Sequence, residues 1–168
     1  MQKFKELIIM EYAKILLSAY PYLDGVIKQE GENYLRRCYN SAYFFSPTDD
    51  FCSKLISLYQ DREKLIVLKN KLDVLFSRLS DEERDLLRFK FAGRMPEKKF
   101  SFSTRTYFRK QIKLLKKVEE YLNYLNITEE VFKKEYSKME YFKVLGECVP
   151  EMIRIRNDAR LKYACQGV

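Results

Sequence analysis

The sequence predicts an all-α protein, and three observations predict it. Glycine and proline number only five and four in 168 residues, so element interiors are seldom interrupted, whereas a chain of many short strands needs frequent turn residues. Apolar residues recur at spacings of three and four through successive windows, the period of a helix with one buried face. Residues suited to helix caps stand where one window ends and the next begins. About seven helices are expected: an N-terminal helical hairpin or bundle with one long helix, a central helix-turn-helix-like unit and a C-terminal helical extension. Apolar residues make up 46% of the chain, enough for a core and too many for wholesale disorder.

Each element has its own justification. Phe4 to Ser18 carries Leu7, Ile8, Tyr12, Ile15 and Leu16 at helical spacing. Pro21 starts a second helix or kinks one long one, and Gly25 and Gly31 weaken the pattern before Tyr34, Leu35, Cys38 and Tyr39 resume it up to Ser46-Pro47. Thr48 or Asp49 is the cap of the next helix. From Leu65 its leucines run Leu68, Leu72, Leu75 and Leu79, the seam of a helical hairpin packed inside the chain or of a short homodimeric coil. Ser80-Asp81-Glu82-Glu83 is a capping box, with serine at the N-cap, glutamate at N3 and three acids in the first turn. Leu86, Leu87, Phe89 and Phe91 give that helix its apolar positions, and Gly93 ends it. Met95 to Phe100 has room for one helical turn. Ser101 or Ser103 then caps a helix reaching Tyr124, with Tyr107, Leu114, Val118 and Tyr121, or Phe108, Ile112, Leu115 and Leu122, as its apolar stripe. Thr128 caps a helix running in register to Gly146, and Pro150 opens a last helix to Tyr163.

Three domains follow: an N-terminal bundle over residues 1–79 for dimerisation or partner contact, a central unit over 80–125, and helices over 126–168 that pack on the rest.

The net charge of +8 favours a polyanionic partner, and the cations are unevenly spread. Residues 1–79 hold twelve cations and ten anions, residues 126–168 eight and seven, and residues 80–125 twelve and seven. Between Arg88 and Lys117 eleven cations face a single acid, Glu97. Their mutual repulsion is costly unless a polyanion neutralises it. The tail Arg154 to Ala164 is a second, weaker basic stretch, read first as an exposed face of the last helix and otherwise as an accessory contact to DNA or RNA polymerase.

Other classes fare worse. The chain has no histidine, and so lacks the most versatile acid–base group and the commonest metal ligand. It shows no phosphate-cradling glycine loop, nucleophile motif or paired-carboxylate signature. An enzyme is not expected, and neither a metal nor a cofactor. Cys38, Cys52, Cys148 and Cys165 are too far apart for a CxxC pair and read as reduced, mostly buried thiols. Lys3, Lys5, Glu6, Glu11 and Lys14 interrupt the N-terminal apolar stretch, so no signal peptide or membrane span is expected, and the location expected is cytoplasmic.

Leu79-Ser80-Asp81-Glu82-Glu83-Arg84-Asp85-Leu86-Leu87-Arg88-Phe89-Lys90-Phe91 resembles the opening helix of the sigma-factor region 4 fold. Ser103-Thr104-Arg105-Thr106-Tyr107-Phe108-Arg109 is similar to the start of its recognition helix, in a version closer to phage-type regulators of the ArpU kind, which occur in Gram-positive bacteria and their prophages and control late gene expression. The resemblance spans Leu79 to about Leu122 and implies a DNA-binding transcriptional regulator. Arg94 to Phe102 is shorter than the family's middle helix by about three residues and contains Pro96, so that helix is cut to one turn or the motif departs from a standard helix-turn-helix. The resemblance implies Thr104, Arg105 and Arg109 at base edges, with Arg105 the leading candidate for a guanine contact. Lys98, Lys99, Lys110 and Lys113 would meet phosphates, and Ser103 would cap the helix and donate to a phosphate as well. Tyr107 and Phe108 are read as core. The implied partner is double-stranded DNA, with RNA polymerase or another regulator, and a second copy of the chain, as further candidates. Two other readings compete: a helical adaptor or anti-regulator meeting an acidic protein, and a single-strand or RNA binder stacking bases on Phe100, Phe102, Tyr107 and Phe108.

Overall fold

Helical periodicity is realised throughout a computed structural model of the chain, which describes residues 11–40 and 48–165, without the side chains of 149–159 and 162. Helix α1 (Glu11–Ala19) passes through a 3₁₀ turn (Tyr20–Tyr22) into α2 (Leu23–Tyr39). Then come the long α3 (Thr48–Ser77), α4 (Asp81–Leu87) with a π turn (Arg88–Ala92) continuing it, α5 (Thr104–Tyr124), α6 (Glu129–Glu135) and α7 (Glu140–Ala164). Among the described residues there is no strand; an isolated parallel bridge joins Phe100 to Cys165.

The caps act as their chemistry dictates. Ser80 donates its backbone N–H to Glu83 Oε2 at 2.9 Å and its Oγ accepts from the Glu83 N–H at 3.3 Å, a reciprocal box worth about 1 kcal/mol at an exposed start. Thr128 Oγ1 accepts from the Val131 N–H at 3.3 Å and opens α6. Gly93 has φ of +66°, a left-handed conformation that costs glycine least. It lets the Arg94 N–H turn back to the Arg88 carbonyl at 3.2 Å and closes the π turn.

Several breakers expected from sequence do not break. Gly25 and Gly31 lie inside α2; a Cβ at Gly31 would come within 3.1 Å of Arg62 Nε, so glycine there allows close approach to α3. Gly146 and Pro150 lie inside α7, which runs unbroken from Glu140, while the interruption expected at Gly146 falls earlier, between α6 and α7. In α7 the burial of Phe142 and Leu161 outweighs local propensity. Thr48 already belongs to α3. The expected start of the first helix, with Leu7 and Ile8, and the expected helix end at Ser46-Pro47 lie outside the described residues. The largest departure is at Met95 to Phe100, where the one-turn helix is absent: residues 93–103 form a non-helical connector.

The chain divides into two compact units, Met1–Ala19 with Val74–Val168, and Tyr20–Asp73; the boundaries read from sequence at 79/80 and 125/126 do not coincide with this division. In the smaller unit Leu23, Leu65, Leu68 and Leu72 are buried. Asp73 there accepts from Tyr20 Oη at 2.7 Å and from Lys69 at 2.9 Å. In the larger unit α1 packs on α7, α5 and the π turn through Tyr12, Ala13, Leu16 and Leu17. The Leu65–Leu79 seam is thus buried within one chain, as its hairpin reading expects. Each such leucine contributes about 1.5–3 kcal/mol.

Candidate nucleic-acid interface

The candidate interface lies in the larger unit, on α5 and the connector before it. Helix α5 is held by the face that buries Tyr107, Gln111, Leu114, Leu115, Val118 and Leu122. These positions follow the first of the two stripes expected, with Leu115 and Leu122 joining from the second. Gln111 is the polar member. Its amide donates to the Leu86 carbonyl at 3.2 Å and to Tyr107 Oη at 3.0 Å, tying α5 to α4 and orienting the phenol. Burial, and secondarily the Cys165 thiol, holds that phenol well above its ordinary pKa.

Aromatic rings fix the connector against this core. Phe89 meets Phe100 and Tyr107 edge-on, each at 5.9 Å between centroids, and Phe102 stacks on Phe100 at 5.2 Å. Backbone bonds add to this: the Phe100 N–H donates to the Ala164 carbonyl at 2.8 Å, and Arg160 donates to the Gly93 carbonyl at 2.7 Å. The non-helical stretch carrying Lys98 and Lys99 is therefore anchored at Gly93 and at Phe100.

The basic run sorts into three groups. Lys90 is drawn inward: burial, and secondarily repulsion from Lys14, lowers its pKa to about 8. Arg88, Lys110 and Lys117 are paired with acids of α4. Lys117 meets Glu83 at 2.7 Å, Arg88 meets Asp85 at 3.8 Å, and Lys110 pairs with Glu82 while lying 4.3 Å over the Phe102 ring. Burial alone would raise the Glu83 carboxyl; Lys117 and the Ser80 hydrogen bonds outweigh it and hold the group below its ordinary value. A cleft of about 250 Å³ runs between these two helices, lined by Glu82, Glu83, Leu86, Lys110, Lys113, Leu114 and Lys117.

The third group is Arg94, Lys98, Lys99, Arg105, Arg109 and Lys113, all exposed. Among the described residues none of the six meets an acid. Arg105, Arg109, Lys113 and Lys116 are spaced four, four and three apart, and so share the solvent face of α5 within roughly a quarter turn.

The sequence-predicted site residues divide accordingly. Lys98, Lys99, Arg105, Arg109 and Lys113 are exposed and available. Lys110, expected at a phosphate, is engaged by Glu82 and Phe102, because the acidic start of α4 lies beside it. Ser103 occupies the N-cap position of α5, but its hydroxyl makes no capping bond and lies 3.4 Å from Thr106 Oγ1. Thr104, expected at a base edge, is exposed at the first turn of α5. Tyr107 is core as expected. Phe108 is not: it is 49% exposed, because its position falls one residue off the buried stripe. The thiols also depart from expectation: Cys165 is buried, whereas Cys52 and Cys148 are exposed.

Sequence reading missed Gln111 and Arg160. A polar residue at a core register position, four after Tyr107, is the signal for Gln111. Arg160 has no local signal, since its partner lies 67 residues away. Among the described residues no cluster of Cys, Asp or Glu is arranged to hold a metal ion, and no helix is long and apolar enough to cross a membrane. Compared with protein families, with curated proteins and with solved structures, the chain matches none.

Proposed function

We propose that this chain is a DNA-binding transcriptional regulator that contacts duplex DNA with the outer face of α5 and the lysines of the connector. One observation carries the reading: Arg94, Lys98, Lys99, Arg105, Arg109 and Lys113 stand exposed on an anchored scaffold without an acid partner among the described residues. Exposed cations without acid partners repel, as Arg105, Arg109 and Lys113 do along one face of α5, and a phosphate backbone relieves that repulsion while releasing its own counterions. The contact element is a single basic helix with an extended lead-in, not a helix-turn-helix. The regulatory role rests on the resemblance of Leu79 to Leu122 to sigma region 4. The other partners considered, RNA polymerase, another regulator or a second copy of the chain, would belong to that role.

Titration of a fluorescent duplex at several salt concentrations tests it. Binding is expected to weaken with a log–log slope of about −4 to −5, one counterion released per phosphate met by a free cation. Absent or salt-insensitive duplex binding would overturn it, and tighter binding of the separated strands would move the function to single-stranded nucleic acid.

A further inference from the structure

The solvent face of α5 is not purely cationic. Phe108 is 49% exposed and Ile112 57% exposed, and they lie four apart on the helix, one above the other. Arg105 and Arg109 flank Phe108 in sequence at three before and one after. The face therefore has an apex of arginines, an apolar edge made by Phe108 and Ile112, and an opposite edge of Lys113 beside the acid-paired Lys110 and Lys117.

Both apolar side chains are held in place. The Phe108 ring meets the fully buried Tyr107 ring edge-on, at 5.5 Å and 79°. Isoleucine in a helix keeps essentially one rotamer. A rigid apolar pair in water beside cations gains nothing by itself, and the core of α5 is already filled from its other side. A partner of this face must offer negative charge to the arginines and something apolar beside it. The major groove of duplex DNA offers phosphates, guanine acceptors and a single kind of apolar group on the base edges, the C5-methyl of thymine.

We propose that Phe108 and Ile112 read thymine methyl groups, so that the preferred site sets thymines next to the guanines contacted by Arg105 and Arg109. The proposal rests on the reading of the chain as a duplex-DNA binder and names the bases that reading would select.

The test removes the methyl and nothing else. A pool of duplexes with a random core is enriched on the full chain, and the enriched duplex is rebuilt with uracil in place of each thymine in turn. For wild-type protein, affinity should drop about fourfold at each contacted position, the worth of one buried methyl. The Phe108→Ala, Ile112→Ala double variant should bind the thymine and uracil duplexes alike, while keeping the wild-type salt slope because no cation has been removed. Equal wild-type affinity for all the uracil duplexes overturns this proposal and leaves duplex binding standing. Failure of any duplex to enrich overturns duplex binding and this proposal together. Enrichment without thymine, with unchanged affinity for the double variant, would assign the apolar edge to a protein partner instead, and also overturns it.

Discussion

Helices α3 and α5 are both long and rich in lysine and arginine, yet their charges behave in opposite ways. In α3 the cations Lys54, Arg62, Lys64, Lys69 and Lys71 are matched by Asp49, Asp50, Asp61, Glu63 and Asp73. Four of those cations pair within the helix: Lys54 with Asp50 at 2.6 Å, Arg62 with Glu63 at 3.7 Å, Lys64 with Asp61 at 3.6 Å and Lys69 with Asp73 at 2.9 Å. Exposed pairs of this kind are worth only about 0.3–0.5 kcal/mol each, but they leave little field outside the helix. In α5 the acids are Glu119 and Glu120, both near the C-terminal end, and Arg105, Arg109 and Lys113 lie beyond their reach. The difference teaches that lysine content alone marks nothing; a cation becomes a candidate contact when neither its neighbours three and four away nor an acid of a packed helix neutralises it, as Glu82 does for Lys110.

The experiments that follow break or sharpen that contrast. The largest effect is expected from Arg105→Ala with Arg109→Ala, which should weaken duplex binding at least about a hundredfold and erase the preference for guanine, since each bidentate base contact is worth about 1–3 kcal/mol. Fluorescence anisotropy against a duplex panel checks this. Lys54→Ala with Lys64→Ala in α3 is the counterpart and should leave affinity unchanged; an equal loss there would abolish the contrast between the two helices. A smaller gain is expected from Glu82→Gln. Releasing Lys110 should tighten duplex binding about threefold and steepen the salt slope by about one phosphate, and unchanged binding would place Lys110 outside the interface altogether.

The smallest effect concerns Lys90, which belongs to the basic run by sequence but not by position. Its ammonium has a pKa of about 8 in the fold, because burial, and secondarily Lys14, disfavours the charge, against about 10.4 in the unfolded chain. Below pH 8 both states are protonated and the cost of the buried charge is present in full. Between pH 8 and about 10.4 the unfolded chain holds the proton that the folded one has released, so this group adds stability as pH rises. Urea midpoints of wild type and Lys90→Met, compared from pH 7 to 10, should show the variant more stable at pH 7 and the gap narrowing as pH rises, with duplex affinity the same for both.

Local rules read much of this molecule correctly. The helical class, the Ser80 box, the Thr128 cap, the glycine stop at Gly93 and the buried leucines of α3 all rest on interactions within a few residues, which sequence spacing displays. The charge asymmetry was equally legible, because it is a count. The features that escaped depend on contacts made across the chain. Gly146 and Pro150 look like breakers until Phe142 and Leu161, both on α7, are seen to be buried. Met95 to Phe100 looks long enough for a helical turn, but Phe100 is claimed by the rings of Phe89 and Tyr107 and by a bond to Ala164. The pairing of Lys110 with Glu82 joins residues 28 apart, and no window of helical periodicity contains both. At the candidate site the cation inventory could therefore be read from sequence, whereas which cations face outward could not.

The anchoring of Phe100 to Ala164 and of Gly93 to Arg160 sets an order of events during synthesis. Lys98 and Lys99 leave the ribosome more than sixty residues ahead of the partners that hold their segment in place. Until those partners emerge, a nascent chain bears the basic residues on an unanchored tether. The cationic platform is thus completed only once Arg160 and Ala164 have been made.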